Sequence, residues 1–262
     1  MLFTRVPKEC AGGADMALLS VRNLSKKLLI NRNPFVILDN ISFDIKDRDF
    51  VCIVGPSGSG KSSLLRMIAR LDVPTEGTVE FGDGLGKNVV VSMVFQSFAL
   101  FPWLTVAENV GVGLEAKNVE REDRQNIVKK YIDIVGLNGF EDAYPKELSG
   151  GMKQRVGIAR SLSVDPDLLC MDEPFSALDV LTAQGLRDEV LMLWQKSDLP
   201  PSAVLMVTHN LEEAVYMADR IIVMTPRPGR ISSELVVDIP RPRDRKSPEF
   251  LDFVDQVFSK IV

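Results

Sequence analysis

Short, mostly apolar runs fall at 51–54, 89–95, 168–171, 203–208 and 221–224, separated by stretches with helical spacing. Runs of that length predict strands buried on both faces, and their alternation with helices predicts an α/β fold with a mainly parallel sheet. Between the second and third runs, from 97 to about 163, strand signals are missing. There the segment REDRQNIVKKYIDIV sets Ile127, Tyr131, Ile134 and Val135 at helical spacing, so an amphipathic helix within an inserted α-helical subdomain is expected. After 225 the Pro- and Arg-rich stretches TPRPGR and IPRPRDRKSPEF predict irregular chain until a last short helix near 250–261. Arg241, Arg243 and Arg245 are read there as a solvated connector, with acidic lipid or a partner as the alternative.

The chain of 262 residues, 45% hydrophobic, can fill a substantial core. A formal net charge of -5 argues against broad binding to nucleic acid. Cys10, Cys52 and Cys170 form no C-x-x-C pair, and the last two lie inside apolar runs, which predicts buried thiols in a reducing compartment. No apolar run approaches the roughly 20 residues that cross a bilayer, and the first 15 residues lack a signal-peptide pattern. Met16 is expected to be the natural start, and the chain to be cytoplasmic.

Chemistry concentrates at the ends of the predicted strands. GPSGSGKSS, residues 55–63, fits G-x-x-x-x-G-K-[ST] between a strand and a helix. Gly55, Gly58 and Gly60 let the backbone of Gly55, Pro56, Ser57, Gly58, Ser59, Gly60, Lys61, Ser62 and Ser63 curl so that N–H groups converge on phosphate. Lys61 would reach the β- and γ-phosphates and Ser62 would ligate Mg²⁺; a glycine-rich turn that binds nothing is the alternative. LLCMDEP ends a strand in two carboxylates, where Mg²⁺ beside Asp172 leaves Glu173 to accept a proton from attacking water. An ordinary turn before Pro174 is the bland reading of that pair. His209, the only histidine, follows a strand at the edge where nucleotide sites lie, and would contact the γ-phosphate and orient water. Gln96, at another strand end, is a weaker candidate for sensing metal and water. A second anion cradle is LSGGMKQR, residues 148–155, where Ser149 as N-cap and the N–H groups near Gly150 and Gly151 open a helix.

GPSGSGKSS, VFQ, LSGGMKQR, LLCMDEP, SALD and VTH, in this order, resemble an ABC transporter ATP-binding subunit over nearly the whole chain. The resemblance implies a P-loop NTPase fold with an N-terminal antiparallel β region, an ATP-binding domain over 17–243 with its helical subdomain at about 97–163, and a tail helix in 244–262. It implies the cofactors ATP and Mg²⁺, with Ser62, Gln96 and Asp172 toward the metal and Glu173, His209, Gln96 and Lys61 toward catalysis. Ser149, Gly150 and Gly151 would hold the γ-phosphate of ATP on a second subunit, and Asp179 of SALD would lie on the seam between the two. FQSFALFPWLTVAENV, AYPKELSGGMKQRVGIAR, MDEPFSALDVLTAQ, THNLEEAVYMADRI and PRPGRI look most like nitrate, sulfonate, taurine and bicarbonate importers.

That group implies two membrane permease subunits, an external solute-binding protein, a place on the cytoplasmic face of the membrane and no nucleic acid partner. Phe98, Leu100, Phe101 and Trp103 would line the groove for a permease helix or belong to the core. An exporter's ATPase shares this chemistry; a soluble ABC ATPase acting on DNA or ribosomes and a P-loop phosphotransferase fit less well. The sequence departs from the pattern in having leucines where an adenine-stacking aromatic is expected, with Phe35 several residues later. It also has Met152 for a common glutamine, and Arg48 and Arg70 where glycines are frequent.

Overall fold

The computed structural model describes residues 17–30, 33–82, 89–196 and 200–261; Cys10 and Met16 lie outside them. Two sheets form the frame. Strands β1 (Ala17–Ile30), β2 (Asn33–Lys46) and β4 (Glu76–Phe81) make an antiparallel sheet in the order β2-β1-β4. The central sheet has the order β5-β6-β7-β3-β8-β9, built from β3 (Phe50–Val54), β5 (Val91–Val94), β6 (Leu168–Asp172), β7 (Ala203–Val207), β8 (Arg220–Met224) and β9 (Ile231–Val236). Its pairings are parallel except β8 with β9. Among the described residues seven α-helices pack around these sheets: α1 (Lys61–Ile68), α2 (Val106–Ala116), α3 (Arg121–Ile134), α4 (Gly150–Ser163), α5 (Val180–Gln195), α6 (Leu211–Met217) and α7 (Pro248–Ser259).

The apolar runs are strands because both faces of the central sheet are covered. On β3, Val51 and Ile53 join a core with α1 and the antiparallel sheet, while Phe50, Cys52 and Val54 join a core with the other helices. Cys52 and Cys170 are free and buried as expected, and burial pushes both thiols up. The run at 89–95 is shorter than its hydrophobicity predicts: Val90 is held from outside the strand, its N–H donating to Asp167 Oδ2 at 3.0 Å and its carbonyl accepting from the Asp167 N–H at 2.8 Å.

Helix α3 buries Val128, Tyr131 and Ile132, with Ile127 and Ile134 partly covered, a wider stripe than the four expected residues describe. The tail departs most from its prediction. Arg243 is buried, donating to the carbonyls of Val215, Tyr216, Ala218, Val237 and Ile239. Arg241 pairs with Asp219, and the Arg245 guanidinium lies 3.9 Å from the Tyr216 ring centroid. A solvated connector is excluded, because Arg241 and Arg243 satisfy the open carbonyl end of α6 while Arg245 lies on the Tyr216 ring. Phe250 and Val257 of α7 complete the same core. Arg48 and Arg70 both take left-handed backbone, φ 63° and 60°, which explains the frequency of glycine at such positions. Arg70 offsets that strain by stacking on Phe81 at 4.4 Å.

Candidate nucleotide site

The strand β3 ends and α1 begins across a loop in which Gly55, Gly58 and Gly60 have φ of 155°, 78° and 95°. A side chain at Gly60 would also meet Leu38 of β2 at 2.7 Å, so the curl is enforced by packing as well as by backbone. Helix α1 has no side-chain cap and no acidic residue in its first turn. Its amino end therefore offers N–H groups and partial positive charge outward, as an anion site requires. Lys61 is buried under the loop and donates to the carbonyls of Gly55 and Pro56 at 2.8 and 3.0 Å. Burial lowers its pKa, opposed by Glu173 and Asp172. Ser57 is exposed and Ser63 half-buried, whereas Ser59 is buried with no hydrogen bond from its hydroxyl among the described residues.

Ser62 Oγ donates to Asp172 Oδ1 at 2.7 Å, joining the head of α1 to the end of β6. Asp172 is buried, and burial raises its pKa against the pull of the Ser62 hydrogen bond. Beside it Glu173 has φ 44°, a strained value for a residue with a side chain, fixed by its N–H donating to Val207 O at 2.9 Å. That strain turns the carboxylate to His209, whose Nδ1 lies 3.0 Å from Glu173 Oε2. Gln96 Nε2 reaches the same oxygen at 3.4 Å and Ser176 Oγ at 3.2 Å. The structure thus brings Lys61, Ser62, Asp172, Glu173, Gln96 and His209 into one group.

Ser149 and Asp179 make only local capping bonds, Ser149 Oγ accepting from Met152 N at 3.3 Å and Asp179 Oδ1 from Thr182 N at 3.0 Å. The two helix starts pack together: a side chain at Gly151 would lie 2.5 Å from Thr182 Cγ2, while Gly150 faces Leu178. Ser149 and Asp179 are exposed, and Asp179's pKa is lowered by its hydrogen bond with Thr182.

Between the two cradles runs the loop after β5. Leu100 packs on the core, but Trp103 is 69% exposed and Phe101 37%, their rings 5.5 Å apart. The core reading therefore holds for Leu100 and not for the exposed Phe101 and Trp103. Asn109 shapes it: fully buried, its amide donates to the carbonyls of Phe101, Leu104 and Thr105 and accepts from Phe101 N. Arg160 donates to the carbonyls of Phe98 and Ala99 at 3.2 and 2.7 Å, tying the same loop to α4. Sequence reasoning missed both; a single polar residue among the buried positions of α2 was the available signal for Asn109, whereas α4 buries Gln154, Ser161 and Ser163 and gives the half-buried Arg160 no such mark. Phe35 lies directly across from Leu28 in the β1–β2 pairing, so the expected base-side region is a mixed apolar strand pair.

The family model described as ABC transporter matches residues 38–176. The nitrate import ATP-binding protein NrtD of Synechocystis sp. is 44% identical over 253 residues, covering 92% of this chain and 94% of that protein. An aliphatic sulfonates import ATP-binding protein, SsuB of Bacillus cereus, is 39% identical over 244 residues, covering 92% and 95%. A solved ATP-binding cassette, dimeric in a post-hydrolysis state with ADP and Pi bound, superposes with a TM-score of 0.73 at 31% identity over 85% of this chain and all of its own. The chain belongs to the ABC transporter family. It is an ATP-binding, ATP-hydrolysing member of it.

Proposed function

We propose that this chain is the energy-coupling subunit of an importer, working as a head-to-tail pair closed by two ATP molecules. The observation that carries this reading is the separation of two anion cradles. Lys61 and the N–H groups of 55–63 grip the nucleotide of one copy, and Ser149, Gly150 and Gly151 of a second copy complete it, with Asp179 along the seam. Ser149 is exposed and its hydroxyl makes only a local capping bond, while Gly150 is half-buried and Gly151 buried at the start of α4.

Ser62 and Asp172, with Gln96, would hold Mg²⁺. Two oxygens 2.7 Å apart suit an ion that keeps several waters, and no group of three or more His, Cys, Asp or Glu stands ready for a metal among the described residues. The ion supplies charge neutralisation at the phosphates. Glu173 accepts the proton of the attacking water and His209, held by it, orients that water toward the γ-phosphate. Loss of the γ-phosphate removes part of the interface, so the pair loosens.

Residues 97–163 act as the helical subdomain of a domain over 17–243, with 244–262 as its tail. Trp103 and Phe101 receive a helix from one of two permease subunits, and a solute-binding protein acts outside. No helix of the described residues is long and apolar enough to cross a membrane, which agrees with peripheral attachment at the cytoplasmic face. The relatives' nitrate and sulfonate names support an anionic solute.

Mixing two inactive variants tests the pair. Lys61→Ala and Ser149→Arg chains form mixed dimers with one doubly damaged and one intact site, so ATP hydrolysis returns on mixing. No recovery, with dimers verified by light scattering, rejects the shared site.

A further inference from the structure

The segment TPRPGR, between β8 and β9, takes no part in the chemistry above, yet it touches both the antiparallel sheet and the phosphate loop. Gly229 is stitched to β2, its N–H donating to Ile37 O at 2.9 Å and its carbonyl accepting from Asp39 N at 3.0 Å. It also backs onto the phosphate loop so closely that a Cβ there would fall 2.0 Å from Ser59 O. From this base Arg227 reaches across. Its Nε and Nη2 both donate to Gly58 O at 3.2 and 3.1 Å, and its guanidinium lies 4.7 Å from the Phe35 ring centroid.

The peptide that Arg227 grips is the one on which the curl turns. Its carbonyl, on Gly58, faces out to the guanidinium, and its N–H, on Ser59, closes a turn onto Pro56 O at 3.2 Å. The same Pro56 oxygen accepts from Lys61 Nζ. A cation on one end of a peptide polarises it and strengthens the hydrogen bond made by its other end. A continuous path therefore runs from Arg227 through the Gly58–Ser59 peptide and Pro56 to Lys61. Gly58, at φ 78°, has no side chain to resist unwinding, so an external hold on its carbonyl is where such a clamp acts most effectively.

We propose that Arg227, laid on Phe35, is a positioning residue for nucleotide binding: it clamps the phosphate loop in its anion-binding curl and fastens it to β2. This rests on the assignment of 55–63 as the phosphate cradle. Because the clamp acts on phosphate contacts and never on the base, its effect is independent of which base the nucleotide carries. Because its contacts are to Gly58 O and the Phe35 ring rather than to Glu173 or His209, it sets binding and leaves the chemical step alone.

The test is Arg227→Met, which keeps the aliphatic stem and removes the donors. ATP, ADP and GTP should all bind more weakly by one common factor, roughly three- to tenfold, with kcat at saturating ATP unchanged and KM raised. Phe35→Leu should show a smaller loss of the same kind, Phe35→Tyr should restore it, and the Phe35→Leu, Arg227→Met double variant should be no weaker than Arg227→Met alone. Lys61→Ala is the control: if it still binds ATP, the cradle assignment itself fails. If Lys61→Ala abolishes binding while Arg227→Met binds as wild type, the clamp is wrong. A loss confined to one base, or a fall in kcat without a rise in KM, also overturns it. Should Arg227→Met lower the unfolding midpoint, Arg227→Lys replaces it, with intermediate affinity expected and wild-type affinity counting against the clamp.

Discussion

Glu173 Oε2 and His209 Nδ1 stand 3.0 Å apart, with 19% of the Glu173 side chain exposed against 60% of His209. A carboxylate can only accept, so Nδ1 carries the proton and Nε2 is left as the ring's free nitrogen. Two groups from different strand ends thus form one unit: the less exposed partner fixes the tautomer and the exposed partner faces solvent.

Glu173→Gln keeps the side-chain shape but loses the proton acceptor. ATP hydrolysis should fall about 10²- to 10⁴-fold while ATP binding persists and the pair accumulates. Steady-state phosphate release and size-exclusion chromatography with ATP check this; a variant that stays monomeric with ATP contradicts the shared site.

His209→Ala removes the imidazole and leaves the phosphate loop intact. Turnover should drop by roughly 100-fold or more, with nucleotide affinity within about twofold as read by fluorescent-nucleotide titration. Unchanged turnover would take His209 out of the reaction.

Burial raises the pKa of Asp172, and the sign of its pH effect follows. Between its ordinary value and its raised value the folded chain holds a proton that the unfolded chain has lost, so the stability from this residue is present at low pH and disappears as pH rises through the folded pKa. Asp172→Asn still accepts from Ser62 and escapes that loss. Its unfolding midpoint near neutral pH should exceed wild type by about 2 °C or more, with a flatter pH profile, while Mg²⁺-dependent hydrolysis disappears. Differential scanning calorimetry across pH separates the two effects.

Asn109→Ala strips four hydrogen bonds from the loop that displays Trp103. Phe101 O and Thr105 O keep the N–H groups of Leu104 and Asn109, but Phe101 N–H and Leu104 O lose the amide. The loss should cost about 1–3 kcal/mol, visible in urea unfolding, with protease sensitivity rising around 97–105. Unaltered stability would show that the loop is held by its other contacts.

The residues with phosphate chemistry were legible from sequence because that chemistry requires fixed residue types at fixed spacing after a strand. Lys61, Ser62, Asp172, Glu173, Gln96 and His209 converge because each sits at the same edge of a parallel sheet, a placement that buried apolar runs already imply. Arg227, Asn109, Arg160 and Arg243 were not legible, for one shared physical reason. Each bonds mainly to backbone carbonyls, which leave no mark on residue identity, and three of the four reach partners far away along the chain. Arginines in a Pro-rich segment look like solvated surface until the fold supplies an open helix end for them. The antiparallel N-terminal region, expected from the resemblance, is present, but its strands left little mark in the hydrophobic pattern: β1 pairs with β4 across more than fifty residues, and its register shifts at several places, which blurs the two-residue alternation.

The buried Arg243 has a practical corollary. It grips the far end of α6, the helix that starts two residues after His209, so the carboxy-terminal segment behaves as a tether on the element behind the imidazole. Fusions or affinity handles that tug on α7 would slacken that tether, and engineered versions of this motor should carry their additions at the amino end.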